Sequence, residues 1–382
     1  MAGLTPRERR WLIAVGVLYA AVVIPIGVHR GGDIRREIGI AEHLLHGAPL
    51  YAQAPPNGAW WPPFAILVVV PFALIARASL ALAKACWAVL ALACLVMSVL
   101  LARRWGWKPV VLAIAAVSWP LQDTFMHLNV NTILLALILA AAVDLSEGRE
   151  TRAGVWVGLA TALKAFPGLL LVYLAYRRAW RGAAAGAALA GGLTYAAMLP
   201  YGVVGAAQAA SQWFTISAHA PSASGQPLQS LARLVWDLGL PAVVDAVLVA
   251  ACVALVLAAL RRRPPADDTP YEVGMVTLTA VLISPIGWFH YFTLAFPAWV
   301  AAIRGPIVAD RRLWRGALLL AGVLTSGMLG HQFYPARFAF IAANNDALGS
   351  LLLLTLLILQ RTAASRFAAP AIVPPQPVPR PT

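Results

Sequence analysis

Three ionisable side chains, Asp33, Lys164 and His290, stand in settings that invite chemistry. Asp33 follows Gly31-Gly32 in a polar stretch behind the first long apolar run. A carboxylate there can cap a helix by accepting backbone N–H groups, or can act as a catalytic group at a membrane surface, and the two roles can coexist. Lys164 lies in Gly158-Leu159-Ala160-Thr161-Ala162-Leu163-Lys164-Ala165-Phe166-Pro167, and His290 in Ser284-Pro285-Ile286-Gly287-Trp288-Phe289-His290-Tyr291. An ionisable residue inside a membrane span costs about 2.5–3.5 kcal/mol on insertion scales, and usually faces a cavity or a partner. The plainer alternatives are snorkelling of Lys164 at a helix end and an interfacial His290 in an aromatic belt with Trp288 and Tyr291. Asn129 and Asn131 open another apolar segment, where capping is the plain reading. Asp144 and Glu147, near Arg149 and Arg152, read as a solvated cluster, and Trp60-Trp61 before Pro62-Pro63 as interface markers.

The elements that must position these groups are helices in a bilayer. Of the 382 residues 61% are hydrophobic and only 12% are Asp, Glu, Lys or Arg, about half the charged fraction of soluble domains. The apolar residues come in runs, at 11–28, 80–102, 133–143, 183–199, 243–260, 313–329 and 348–359. A hydrocarbon core about 30 Å thick takes about 20 residues per helix, and closed helices satisfy the backbone in lipid. No alternating pattern suggests a barrel. The expected fold is all-α, a polytopic bundle of 11–13 segments over residues 1–361, with a proline-rich cytoplasmic tail over 362–382.

The net charge of +14 sits in short clusters between apolar runs: Arg7/Arg9/Arg10, Arg103/Arg104/Lys108, Arg177/Arg178/Arg181, Arg261/Arg262/Arg263 and Arg311/Arg312/Arg315. That is the positive-inside pattern of cytoplasmic loops, and it argues against nucleic acid as a partner. Both termini are expected in the cytoplasm, and the first loop, 29–61, outside. Between Arg77 and Arg177 two topologies remain. If 64–75 and 80–102 both span, Arg103, Arg104 and Lys108 lie outside; if one is re-entrant they lie inside, and the stretch broken at Lys164 and Pro167 is a pair of half-helices. In the first loop, Ile34, Ile38, Ala41 and Leu45 share one helical face opposite Arg35, Arg36, Glu42, His43 and His46, which predicts an amphipathic surface helix ended by Gly47. Cys86, Cys94 and Cys252 read as buried thiols, with no metal-ligand or disulfide spacing. No phosphate-binding glycine motif and no internal repeat is visible.

Taken together, these segments resemble the GT-C class of polyprenyl-phosphate-dependent glycosyltransferases, and within it family 87, a bacterial group of mannosyl- and arabinofuranosyltransferases of envelope glycolipids. The resemblance runs from Asp33 to about Pro297. It is carried by Asp33 with Ala41, Leu44, Leu45, Gly47 and Tyr51; by Trp61-Pro62-Pro63-Phe64; by Leu128-Asn129-Val130-Asn131, an altered Gly-Gln-Val-Asn; by Gly158 to Pro167; and by Ser284 to Tyr291. Leu128-Asn129 replaces Gly-Gln, Tyr291 replaces a second His, and Arg36-Glu37 replaces an aromatic pair, departures that bear on substrate choice.

The resemblance implies transfer of a sugar, mannose first and arabinofuranose next, from a polyprenyl-phosphate donor to a glycolipid or glycan acceptor on the outer face of the plasma membrane. Asp33 would be the general base, with His290 as its catalytic companion. Lys164 or His290 would meet the phosphate, and Arg35, Arg36, Asn129, Asn131, Trp288 and Tyr51 would line the substrate site. One displacement with one base implies inversion; a retaining route needs a second carboxylate, for which Glu37 and Glu42 are the weaker candidates. No metal or other cofactor is expected. The alternatives are a transporter or lipid flippase coupled through Lys164 and His290, and a non-catalytic envelope-complex subunit.

Overall fold

The computed structural model describes residues 5–51, 61–218, 229–261, 268–305, 312–326 and 339–367. Among them the chain is all helical. Its seventeen α-helices are α1 (Pro6–His29), α2 (Gly32–Leu45), α3 (Pro63–Ala76), α4 (Leu80–Ala102), α5 (Trp107–Ala116), α6 (Ser118–His127), α7 (Asn131–Ser146), α8 (Glu150–Leu163), α9 (Leu169–Tyr176), α10 (Trp180–Ala196), α11 (Gly202–Ala218), α12 (Leu231–Asp237), α13 (Ala242–Leu260), α14 (Thr269–Leu282), α15 (Phe296–Arg304), α16 (Arg312–Thr325) and α17 (Ala339–Phe367). Among the described residues four helical stretches are long and apolar enough to cross a membrane: α1, Leu80–Trp105, α13 and Phe340–Thr362. Two bent pairs, α5 with α6 at 63° and α10 with α11 at 46°, bring the number to six. The protein is therefore a multi-pass membrane protein by helix length and composition. It has more helices than apolar segments because several segments are broken. The stretch after Arg149 breaks at Lys164, whose backbone is extended, and a short 3-10 turn through Pro167 precedes α9; proline removes a ladder donor and disfavours helix at the residue before it.

Contacts between helix ends show which termini lie together. The arginine of Arg104 pairs with Glu147 just past α7, at 2.9 Å. Beyond it, α8 and α10 touch backbone to backbone: a Cβ at Gly154 would meet the Gly182 carbonyl oxygen at 2.0 Å, and one at Gly182 the Glu150 carbonyl oxygen at 2.4 Å. Small residues spaced four apart allow that approach between membrane helices. Arg104, Arg149, Arg152 and the Arg178–Arg181 turn thus stand at one end of the bundle, and the half-helix pair α8/α9 leaves and regains that end with Lys164 at its tip. α3 has both ends near α2: Tyr51, after α2, donates to the Trp61 carbonyl at 3.0 Å, and Arg77 grips Glu42 at 2.8 Å. Arg103 and Arg104 lie at the same end of the bundle as Arg177. The opposite end, where α7 begins, lies about 24 Å away along its 16 residues.

The amphipathic helix of the first loop forms as α2 and stops at His46 and a left-handed Gly47. Its apolar face, with Ile34, Ile38, Ala41 and Leu44, is buried on the protein, chiefly against α3, and Leu45 is left exposed at the edge. Trp61 is not an interface marker: it is buried against Trp87, ring centroids 6.0 Å apart, just before the Pro62-Pro63 start of α3. Trp60 lies outside the described residues, as does the proline-rich stretch; α17 continues to Phe367, past the boundary expected at 361. Asp144 is not solvated but buried, accepting from Arg149 and from the Trp156 indole at 2.8 Å. Cys252 is buried, whereas Cys86 and Cys94 are half-buried.

Candidate active site

The site lies where α1 hands over to α2. Gly31 has φ +38°, and its N–H donates to the Met126 carbonyl at 3.0 Å; a Cβ there would meet the Gly27 carbonyl oxygen at 2.6 Å. Glycine alone takes this conformation cheaply, and the tight turn delivers Asp33 two residues later. The N-cap of α2 is Gly31, not Asp33. The Asp33 carboxylate instead accepts from the Asn129 side-chain amide at 2.6 Å, so its capping role gives way to a tertiary one.

Asn129 comes from the sharp turn between α6 and α7. Leu128 adopts the left-handed region, φ 52°, at the end of α6, with its side chain fully buried beside Gly27 and Gly31. A non-glycine residue pays about 1–2 kcal/mol for that backbone, which gives a physical meaning to the glycine expected at this place. The turn aims both asparagines inward. Asn129 donates to Asp33 and its carbonyl oxygen receives the Lys164 ammonium at 3.4 Å. Asn131 donates to the His290 carbonyl at 2.9 Å. Neither caps α7, whose N-cap is Val130 without a side-chain bond.

Lys164 does not snorkel. Its side chain is buried, with the ammonium 4.0 Å from the centre of the Tyr291 ring and 5.9 Å from that of Trp61. A cation over aromatic faces gains where water is excluded. Tyr291, which stands in place of a second histidine, thus supplies a ring and stacks on Phe166 at 5.2 Å. His290 is buried rather than interfacial. Its Nε2 lies 4.0 Å from Asp33 Oδ2, its Nδ1 3.2 Å from Asp123 Oδ2, and its ring is parallel to Trp288. Asp33, Asn129, Lys164 and His290 therefore converge from four separate parts of the chain, with Asn131 and Trp288 supporting His290.

Arg36 reaches Asp33 at 3.8 Å but spends its fork on Glu37, with bonds of 3.0 and 3.1 Å. Burial raises Glu37 to about 7 against the pull of Arg36, and Asp33 adds to the rise. Burial also works against the Asp33 carboxylate, but the charges of His290 and Arg36 and the Asn129 amide outweigh it and hold the group below the ordinary carboxylate range. Arg35 is exposed and is not brought into the cluster. Tyr51 is buried with its hydroxyl turned to the Trp61 carbonyl, which makes it an anchor for the loop. Glu42 is engaged by Arg77, away from Asp33.

The sequence reading missed Asp123 and His127. His127 Nε2 lies 3.5 Å from the other oxygen of Asp123. The signal was present: two ionisable residues, Asp123 and His127, four apart on one helical face. Among the described residues no group of three or more His, Cys, Asp or Glu could hold a metal ion.

A polytopic helical membrane protein with a buried carboxylate–amide–cation cluster at one end defines the class. The model of glycosyltransferase family 87 matches residues 60–285, and the chain belongs to that family. Two curated relatives are polyprenol-phosphate-mannose-dependent alpha-(1-2)-phosphatidylinositol pentamannoside mannosyltransferases. The one from Mycolicibacterium smegmatis is 30% identical over 221 residues, 55% of this chain and 51% of the relative. The one from Mycobacterium tuberculosis is 27% identical over 299 residues, 72% of this chain and 66% of the relative. The chain thus spans between half and two thirds of their length. No solved structure matches.

Proposed function

We propose that this protein transfers a sugar, mannose in the first place and arabinofuranose in the second, from a polyprenyl-phosphate donor to a hydroxyl of an envelope glycolipid or glycan. The observation that carries the reading is the convergence of Asp33, Asn129, Lys164 and His290 at the end of the bundle about 24 Å from the Arg104 cluster, the length of α7. The charge pattern puts the arginine end in the cytoplasm, so the site faces the extracytoplasmic side of the plasma membrane. A sugar donor there must arrive on a lipid carrier, and the dependence on polyprenol-phosphate-mannose in the relatives' names supports that choice.

In this mechanism Asp33 takes the acceptor hydroxyl proton as the acceptor oxygen bonds to the anomeric carbon. The bond from that carbon to the phosphate oxygen breaks, and polyprenyl phosphate leaves. Asn129 orients the carboxylate. Lys164 neutralises the phosphate, whose charge grows as the bond breaks. A single displacement inverts the anomeric centre. Glu37, a buried carboxyl raised to about 7 and bonded to Arg36, is poorly suited to serve as a second nucleophile. Arg35, exposed beside the site, suits lipid headgroups.

The test is sugar transfer by purified protein in lipid vesicles, with polyprenyl-phosphate mannose and a nucleotide mannose supplied separately. Transfer is expected only from the lipid donor. Transfer from the nucleotide sugar with carrier lipid absent would place the enzyme in another class, and transfer from neither would favour a non-catalytic role.

A further inference from the structure

The mechanism above leaves Asp123 unused, although it is bonded to a ring at the centre of the site. It is held in α6 with a side chain 15% exposed, and its two oxygens face His290 Nδ1 at 3.2 Å and His127 Nε2 at 3.5 Å. The next residue, Thr124, bonds the His290 carbonyl at 3.2 Å, and Asn131 bonds the same oxygen at 2.9 Å. The parallel Trp288 ring lies 6.2 Å from the imidazole and the His127 ring 5.8 Å, so both backbone and ring of His290 are set. At the far edge, Nε2 is buried with no hydrogen-bond partner among the described residues and stands 4.0 Å from Asp33 Oδ2.

We infer that Asp123 is a positioning residue: it holds the Nδ1 proton of His290, so that Nε2 presents a lone pair toward Asp33 and receives the proton that Asp33 takes from the acceptor. An ionised carboxylate only accepts hydrogen bonds, so the nitrogen facing it must carry hydrogen, and a neutral imidazole then has its free pair on the other nitrogen. The proton balance is simple. The acceptor O–H breaks as an O–H forms on Asp33; that bond then breaks as N–H forms at His290 Nε2. The imidazolium lies between two carboxylates and loses its proton to water before the next turnover. Such a relay gives the proton on Asp33 a destination inside the site, because imidazole is intrinsically a stronger base than a carboxylate. Burial and the Lys164 ammonium oppose charge on the ring, Asp123 and Asp33 favour it, and the His127 ring also faces it at 5.8 Å.

The inference rests on the glycosyl-transfer reading, but its first test does not need turnover. Nitrogen-15 spectra of histidine-labelled protein in bilayers, with His290 assigned by a His290→Gln control, read the tautomer directly. Above its titration range His290 is expected as the Nδ1–H form; an Nε2–H form in the wild-type protein overturns the proposal. In Asp123→Asn the amide can donate to Nδ1, and the ring is expected to switch to Nε2–H. In the transfer assay the same variant should lose about 100-fold in kcat with donor KM within about twofold, because nothing that touches the donor changes. A raised KM with kcat intact would also overturn it, and would make Asp123 a support of the binding site. Absence of transfer by the wild-type protein itself would sink the parent reading instead, leaving the tautomer result standing.

Discussion

Replacing Asp33 by Asn separates the two roles a carboxylate at the start of α2 can play. Asparagine keeps the size of the side chain and an acceptor for the 2.6 Å bond from Asn129, and it caps helices as well as aspartate does. What it loses is the negative charge and the ability to take a proton. Of its charged neighbours, Arg36 at 3.8 Å is partly exposed and already paired with Glu37, and losing such a pair costs about 1 kcal/mol at most, while the buried His290 at 4.0 Å is beyond hydrogen-bond reach. The protein should therefore insert and fold, with a small fall in melting temperature. Removing the base should lower kcat by about 10²–10⁴-fold, which is about 3–5 kcal/mol of transition-state stabilisation at 1.36 kcal/mol per decade. The measurement is initial-rate transfer from polyprenyl-phosphate mannose in vesicles, normalised to folded protein, with donor KM recorded. Turnover within about tenfold of wild type would show that no proton passes through residue 33, and the mechanism would have to be rebuilt around another base.

Lys164→Met keeps the length of the side chain and its contact with Tyr291 but removes the cation. Loss of an electrostatic donor of this kind lowers transfer by about 10²–10³-fold, and an unaltered kcat/KM in the vesicle assay would remove Lys164 from the site. Glu37 is raised from an ordinary 4.5 to about 7, so the folded state holds its proton more tightly than the unfolded chain. Its stabilising contribution is complete below about pH 4.5 and is lost as pH rises through 7. Relative to Glu37→Gln, the wild type should lose about 3 kcal/mol between pH 4.5 and 8, read from paired melting curves; a constant gap would contradict the shift. Leu128→Gly should relieve about 1–2 kcal/mol of left-handed backbone strain but remove a fully buried side chain worth about 3–5 kcal/mol. A net loss of about 1–4 kcal/mol by denaturant titration is expected, and a gain in stability would show that strain dominates there.

Much of this protein was legible before any coordinates. Apolar runs about 20 residues long admit one solution in lipid, so the helical membrane fold follows from composition and segment length. The same cost argument singled out Lys164 and His290, because a charge buried in an apolar segment needs a partner. Pro167 marked the break that puts Lys164 at a helix end. The partners themselves were decided by tertiary structure. Asn129 meets Asp33 across 96 positions and Lys164 across 35, and spacing along one helix cannot report a contact between different helices. Asp33 and the two asparagines looked like caps because each begins a helix, and capping is the local use of such side chains. The fold overrides it, placing Gly31 and Val130 at the caps and turning the carboxylate and amides toward one another. Asp123 and His127 could be seen as a pair four apart on α6, yet only the packing of α6 on the Phe289–Ala295 turn made them part of the site. Local hydrogen bonds are set by neighbours in sequence, whereas a buried polar cluster is set by which helix ends the packing brings to the same depth.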